Sequence, residues 1–272
     1  MPEIAEVETV RNTLKKQVLH KKIKEVKILY EKMLECDVEE FKKCLKNNQF
    51  LDIKRRGKWL IFELENHYLL SHLRMEGKFF LKKNDEPIVK HEHIVITFND
   101  NTDLRYHDTR KFGRMNLIRK EELNSCIAIT KQGFEPGEIE LTADYLLEKF
   151  KNKTIPIKTL MLDQTIISGL GNIYANEVLF ASCINPFKKG CEITKKQAEA
   201  IVTGADKIIK RAIELGGTTI KSYTSSLGVT GRFQQELMVH KRENEECMIC
   251  HSKIKKEKIG GRSTYFCPTC QK

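Results

Sequence analysis

The feature that most constrains this chain lies near its C-terminus, where Cys247-Met-Ile-Cys250 and Cys267-Pro-Thr-Cys270 stand sixteen residues apart. Each Cys-x2-Cys pair can close a tight turn that aims two thiolates at one point. A hairpin between the pairs then brings four sulfurs around a single cation, the closed tetrahedral arrangement that zinc takes in structural sites. A redox dithiol needs only one pair, and iron–sulfur ligation normally runs on other spacings. The expected cofactor is therefore one structural Zn2+ held by Cys247, Cys250, Cys267 and Cys270, with His251 adjacent but surplus. The other five cysteines, Cys36, Cys44, Cys126, Cys183 and Cys191, share no spacing. They read as small buried hydrophobes or inert surface thiols. An odd total of nine, with no export signal, argues against a disulfide framework.

The segment between the pairs carries Lys253, Lys255, Lys256, Lys258 and Arg262 against Glu257 alone. Its tip, Gly260-Gly261-Arg262-Ser263-Thr264, offers backbone N–H groups and a guanidinium that can meet two phosphate oxygens at once. A solvated basic turn is the plainer alternative. The formal charge of +11 over 272 residues also favours a polyanionic partner, because each phosphate neutralised by Lys or Arg releases condensed counterions. A basic surface kept for solubility would give the same total. No stretch approaches the roughly 18 apolar residues of a membrane span. The start, MPEIAEVETV, has no apolar run of the signal-peptide kind, so a cytosolic chain is expected.

A chain of this length accommodates two domains of ordinary size. Ile4, Val7, Val10, Leu14 and Val18 fall at helical spacing, with Pro2 just ahead of the helix they predict over 3–18. From Ile23 to Leu117 the pattern turns to strands: KIKEVKILY, FLDIKRR, WLIFEL, YLLSHLRM, KFFLKK, HIVITF, DLRYHD and RMNLI. Turn residues separate them, and a short helix at Val38–Leu45 interrupts, which suggests an antiparallel sandwich or flattened barrel. After Gly133-Phe134-Glu135-Pro136-Gly137 the character changes to helices, expected over 142–151, 156–165, 172–183, 194–215 and 233–241. Ser168-Gly169-Leu170-Gly171-Asn172 joins two of them, with Asn172 expected to cap the second. A helix N-terminus of that kind can take a phosphate, although a plain helical hairpin explains it equally well. Residues 217–232, GTTIKSYTSSLGVTGR, read as a functional lid or a connector.

The acidic proline-headed start, the Gly-Leu-Gly-Asn turn and the four-cysteine ribbon together resemble the formamidopyrimidine-DNA glycosylase family of bacterial base-excision repair enzymes. The likeness continues in order along the chain through Arg55-Arg56-Gly57-Lys58, Ser71-His72-Leu73-Arg74-Met75-Glu76-Gly77 and Lys90-His91-Glu92-His93. Asp108-Thr109-Arg110-Lys111-Phe112-Gly113, Lys153-Thr154 and Gly260-Gly261-Arg262 complete it. The resemblance implies an α+β multidomain fold: a first helix with a two-sheet antiparallel β-sandwich (1–134), then a helix–two-turn–helix domain (135–232) with a lesion-capping loop at 217–232, then a zinc hairpin (233–272). DNA would lie in the cleft between the domains.

The resemblance also implies a monomeric enzyme of the bacterial cytoplasm or nucleoid, acting on double-stranded DNA that contains oxidised bases or abasic sites. It would remove oxidised purines and then cleave the strand by β,δ-elimination. Removal of Met1 would expose the secondary amine of Pro2 as the nucleophile that attacks C1′ and forms a Schiff base; while Met1 remains, that nitrogen is an amide and cannot attack. Glu3 matches the family's general acid, Lys58 its strand lysine for proton transfer and phosphate contact, and Arg262 the residue of phosphate binding and δ-elimination. Glu6 would orient the amine or a water, or else be a surface glutamate. His72, His91, Lys153 and Asn172 would hold backbone phosphates, with a core role the alternative for each histidine. Met75, Arg110 and Phe112 match the wedge that fills the gap left by a flipped nucleotide, although by position alone Met75 and Phe112 read as core.

The chain departs from the family's Met-Pro-Glu-Leu-Pro-Glu at Ile4 and Ala5, and loss of the second proline predicts a looser start to the first helix. Two other readings stay open. One is an endonuclease VIII type acting on oxidised pyrimidines, which usually begins Met-Pro-Glu-Gly-Pro and lacks the Arg-Lys-Phe-Gly arrangement. The other is a catalytically inactive binder of damaged DNA.

Overall fold

The structure, a computed structural model, describes residues 1–218 and 231–272. The chain divides into two compact units. Met1–Thr130 with Gly216, Gly217, Thr218 and Gly231 form the first, and Lys131–Leu215 with Arg232–Lys272 the second.

In the first unit, α1 (Ile4–Val18) forms on the predicted apolar stripe, and Ile4, Val7, Val10, Leu14 and Val18 are all buried. The missing proline does not delay the helix. Ala5 is fully buried, the Val7 N–H donates to the Glu3 carbonyl at 3.0 Å, and Glu6 Oε2 accepts the Glu3 N–H at 2.8 Å. The first of these bonds is the regular helical bond that starts the ladder, and the second satisfies a donor that the first turn leaves open.

Eight strands follow, matching the eight predicted runs: β1 (Ile23–Ile28), β2 (Asp52–Arg56), β3 (Trp59–Glu63), β4 (His67–His72), β5 (Lys78–Lys83), β6 (Glu92–Phe98), β7 (Thr102–His107) and β8 (Arg114–Arg119). They make two antiparallel sheets of a sandwich, in the orders β1-β6-β7-β5 and β2-β3-β4-β8. Between them α1 and α2 (Val38–Leu45) join a core that includes Phe41, Phe50, Phe62, Phe79 and Phe98. Neighbouring rings there meet tilted or edge-on, Phe50 to Phe62 at 5.0 Å and Phe62 to Phe79 at 5.6 Å, the contacts aromatic quadrupoles favour. A short α3 (Ile127–Thr130) closes the unit.

The second unit holds α4 (Ala143–Phe150), α5 (Ile157–Met161), α6 (Asn172–Ala181), α7 (Lys195–Glu214) and the ribbon hairpin of β9 (Lys255–Ile259) and β10 (Arg262–Phe266). Thr142 and Thr194 cap α4 and α7 through their hydroxyls. Two helices are shorter than their periodicity predicts. The one expected over 156–165 ends at Met161, because the Asp163 carboxylate takes the Thr165 N–H and hydroxyl, at 2.9 and 2.7 Å, and turns the chain. The one expected over 233–241 is a single 3-10 turn at Phe233–Glu236. Beyond it the N–H groups of Met238, Val239 and His240 all donate to the buried Glu177 carboxylate, at 2.8–3.1 Å, instead of to helical carbonyls.

Candidate active site and metal centre

Pro2 is buried at the head of α1, with Glu3 and Glu6 beside it at 2% and 3% exposure. Lys58 is also buried, in the two-residue turn that joins β2 to β3, where Gly57 supplies a φ of +55°. Lys58 thus sits at the end of a hairpin and not within a strand. Burial is the main influence on the amine of Met1 and pushes it below its usual 8.0; Lys58 works in the same direction, while Glu3, Glu6 and Glu76 oppose it. The chain start therefore lies among two buried carboxylates and a buried lysine, in surroundings that favour a neutral amine.

Glu6 is not a surface residue. Its Oε1 accepts the Thr218 N–H at 2.7 Å and the Thr218 hydroxyl at 3.0 Å, while Oε2 holds Glu3. A Cβ on Gly217, whose φ is +77°, would stand 2.7 Å from Glu6 Oε1, so glycine is required for this approach. The sequence reading missed this tie to Thr218 because 212 residues separate the partners. The capping role assigned to 217–232 falls largely on 219–230, outside the described residues.

His72 ends β4 and is 9% exposed, edge-on to Trp59 at 4.9 Å. Its Nδ1 accepts the Arg74 N–H at 3.0 Å, so a neutral ring carries its proton on Nε2. Burial, then the charges of Arg74 and Lys58, lower its pKa to about 3. Such a ring can offer a phosphate one neutral donor but no charge. His91, half-buried at φ +74°, lies in a ring cluster with His93 and His107.

Met75, Arg110 and Phe112, the residues expected to form a wedge, occupy two loops of the first unit, and none is core. Met75 is half-buried in the turn between β4 and β5, Arg110 is exposed, and Phe112 is 47% exposed between β7 and β8. The Arg110 guanidinium sits 4.8 Å from the Phe112 ring centroid, within cation–π range. Asp108 shapes this loop by accepting the N–H groups of Arg110 and Gly113, at 2.9 and 2.8 Å. The Thr109 hydroxyl donates to Glu76 on the other loop. Both loops also close on Tyr106, because a Cβ on either Gly77 or Gly113 would collide with its phenol oxygen.

In the second unit, Asn172 does not cap α6; Gly171 holds that position. The Asn172 Nδ2 instead donates to the Ser263 carbonyl at 2.9 Å, bracing the zinc hairpin next to Arg262. Arg262 is exposed and opens β10 after Gly260 and Gly261, whose φ values of +54° and +73° suit a tight two-residue hairpin turn. Lys153 is exposed in the loop after α4, its backbone carbonyl accepting the Cys191 N–H at 2.9 Å.

The four ribbon sulfurs lie within 4.8 Å of one another, with Cys247 to Cys270 at 3.9 Å and Cys250 to Cys267 at 3.4 Å. Zinc–sulfur bonds of about 2.3 Å in a tetrahedron place sulfurs about 3.8 Å apart, so this donor set fits Zn2+. Burial pushes the Cys267 and Cys270 thiols up, whereas bonds from Ser252 hold Cys250 down to about 6. Four sulfurs so close together ionise fully only around a cation.

A helix-headed sandwich, a helical unit and a zinc ribbon with an arginine at its tip define a DNA-repair enzyme of the zinc-finger type. Residues 1–115 match the formamidopyrimidine-DNA glycosylase N-terminal domain, 132–224 its H2TH domain, and 244–272 the zinc finger found in FPG and IleRS. The formamidopyrimidine-DNA glycosylase of Bacillus licheniformis is 43% identical over 100% of both chains. That of Mycoplasma genitalium is 43% identical over 100% of this chain and 96% of its own. Among solved structures, Lactococcus lactis Fpg in complex with DNA containing an abasic site superposes with a TM-score of 0.94 at 39% identity, covering 99% of each chain. The same protein with DNA containing an oxidised pyrimidine gives 0.93 at 39% identity, covering 100% of each. The chain belongs to the formamidopyrimidine-DNA glycosylase family, whose members are N-glycosylases with abasic-site lyase activity.

Among the described residues no helix is long and apolar enough to cross a membrane.

Proposed function

We propose that this chain is a bifunctional DNA glycosylase and lyase that excises oxidised purines, 8-oxoguanine and formamidopyrimidines, from double-stranded DNA and then nicks the strand. The observation that carries this reading is the buried group of Glu3, Glu6 and Lys58 around a chain start whose amine is held below its ordinary pKa. Once Met1 is removed, the Pro2 nitrogen becomes a secondary amine in surroundings that favour its neutral form. Its lone pair attacks C1′ of the flipped nucleotide and displaces the base, which takes up the amine's proton; Glu3 then protonates the ring oxygen as the C1′–O4′ bond opens, which leaves an iminium. That electron sink acidifies C2′. Lys58 moves the C2′ proton and the 3′ phosphate leaves; δ-elimination, assigned to Arg262, then expels the 5′ phosphate. His72, His91, Lys153 and Asn172 hold backbone phosphates, and such contacts fix register without reading sequence. Met75 and Phe112 fill the gap while Arg110 faces the orphaned base.

We assign the zinc to positioning β10 and Arg262, and 1–134, 135–232 and 233–272 to catalytic, helix–two-turn–helix and ribbon domains. The enzyme acts as a monomer in the bacterial cytoplasm or nucleoid. A second reading, oxidised pyrimidines as the main substrate, has one observation in its favour, the complex of Lactococcus lactis Fpg with oxidised-pyrimidine DNA.

Borohydride trapping tests the chemistry, using protein whose Met1 removal is confirmed by mass. A covalent adduct on 8-oxoguanine opposite cytosine is expected, and far less with Pro2→Gly. Intact binding with no adduct defeats the enzyme reading, and faster release of thymine glycol than of 8-oxoguanine defeats the purine assignment.

A further inference from the structure

Among the described residues, two places bring three or more potential metal ligands together: the ribbon, and a trio in the first unit formed by Glu40, Cys44 and His67. We propose that this trio is a second metal site, for a zinc-class divalent cation, with one coordination position left open.

The site is built from two rigid pieces. Glu40 and Cys44 stand four residues apart on α2 and so share one helical face, the spacing by which two ligands reach one ion. Asp37 caps this helix, and Phe41 and Leu45 anchor it in the core. His67 begins β4, where the hairpin from β3 is closed by the Leu64 N–H on the His67 carbonyl at 2.9 Å. The ligand atoms of the three residues lie within 4.8 Å of one another, and Cys44 Sγ is 3.8 Å from His67 Nε2. A tetrahedral zinc with sulfur at about 2.3 Å and nitrogen at about 2.0 Å places them about 3.5 Å apart, so this pair closes by a few tenths of an ångström, while the exposed Glu40 side chain swings in to complete the set.

The donor chemistry selects the metal. A thiolate, an imidazole and one carboxylate suit Zn2+ or Co2+ and disfavour Mg2+ and Ca2+, which take oxygen. On binding, Cys44 releases its proton to solvent, and thiolate and carboxylate together neutralise the divalent charge. The fourth position opens into a cavity of about 630 Å³ lined also by Lys43, Asn66, Arg119 and Lys120. Lys120 is already paired to Glu63 at 2.8 Å, which lessens its repulsion of a cation. A water or a small anion completes the coordination.

The test uses the full, tag-free chain with its ribbon loaded. After dialysis against free Zn2+ at about 10 µM, the wild type is expected to hold about two zinc ions per chain, and Cys44→Ser and His67→Gln about one each. Both variants should bind DNA as the wild type does, because neither residue belongs to the catalytic or DNA-binding set. A wild type that holds one zinc overturns the proposal, as do variants that keep two. A second readout needs no variant. With zinc held in the ribbon, one equivalent of Co2+ should bring a thiolate-to-cobalt charge-transfer band that excess Mg2+ does not remove, and one equivalent without that band refutes the site.

Discussion

Acid should unfold this protein by a route that His72 makes visible. Its ring is 9% exposed and its Nδ1 is occupied by the Arg74 N–H, so a second proton would have to replace that bond inside a desolvated pocket. The folded pKa is about 3, against 6.5 for the free side chain. A depressed histidine pKa favours the folded state while the ring is neutral. The contribution is fully present above pH 6.5 and is lost as pH falls from 6.5 towards 3. At roughly 1.4 kcal/mol per pH unit, the loss reaches about 2 kcal/mol at pH 5. His240, 5% exposed and likewise near 3, gives a second case in the other unit. The assay is urea denaturation between pH 7.5 and 5 of wild type and His72→Asn, since asparagine keeps an acceptor for Arg74 but does not titrate. The variant should lose about 1 kcal/mol at pH 7.5 from reduced packing on Trp59. Its further drop to pH 5 should be about 2 kcal/mol smaller than that of the wild type. An equal drop in both proteins would refute the reasoning.

Asn172→Ala removes the bond to Ser263, which should lower stability by about 1 kcal/mol in thermal unfolding. It should weaken DNA binding roughly tenfold through a less fixed Arg262. Glu177→Ala leaves three backbone N–H groups without their carboxylate, and at about 1–3 kcal/mol for each buried orphan it should cost at least about 3 kcal/mol and speed hydrogen exchange at 238–240. Chelation of zinc should abolish DNA binding, measured by fluorescence anisotropy, while the circular dichroism of the sandwich persists, because the two lie in separate units.

Local pattern carried most of the fold into the sequence. Alternating apolar runs marked all eight sandwich strands, and the cysteine spacing marked the ribbon. What escaped was decided by partners far along the chain. The Met238–His240 segment has helical periodicity, yet Glu177, sixty residues earlier, takes its N–H groups. Asn172 stands where a cap is expected, but a carbonyl 91 residues away claims its amide. Met75 and Phe112 look like core by position, and only the loops around Tyr106 leave Met75 half-buried and Phe112 exposed. The candidate site rests on the ordered motifs of the family and not on periodicity, because groups that act on a substrate obey its geometry and not that of a helix or strand.

The closure of Gly77 and Gly113 on one phenol gives the two loops a common support. Met75 stands on one side and Arg110 with Phe112 on the other, and the Thr109–Glu76 bond ties the loops together. The loop tips can then change side chains without disturbing the two glycines and Tyr106 beneath them. Enlarging either glycine would displace Tyr106 and disturb both loops at once, without changing any side chain at their tips.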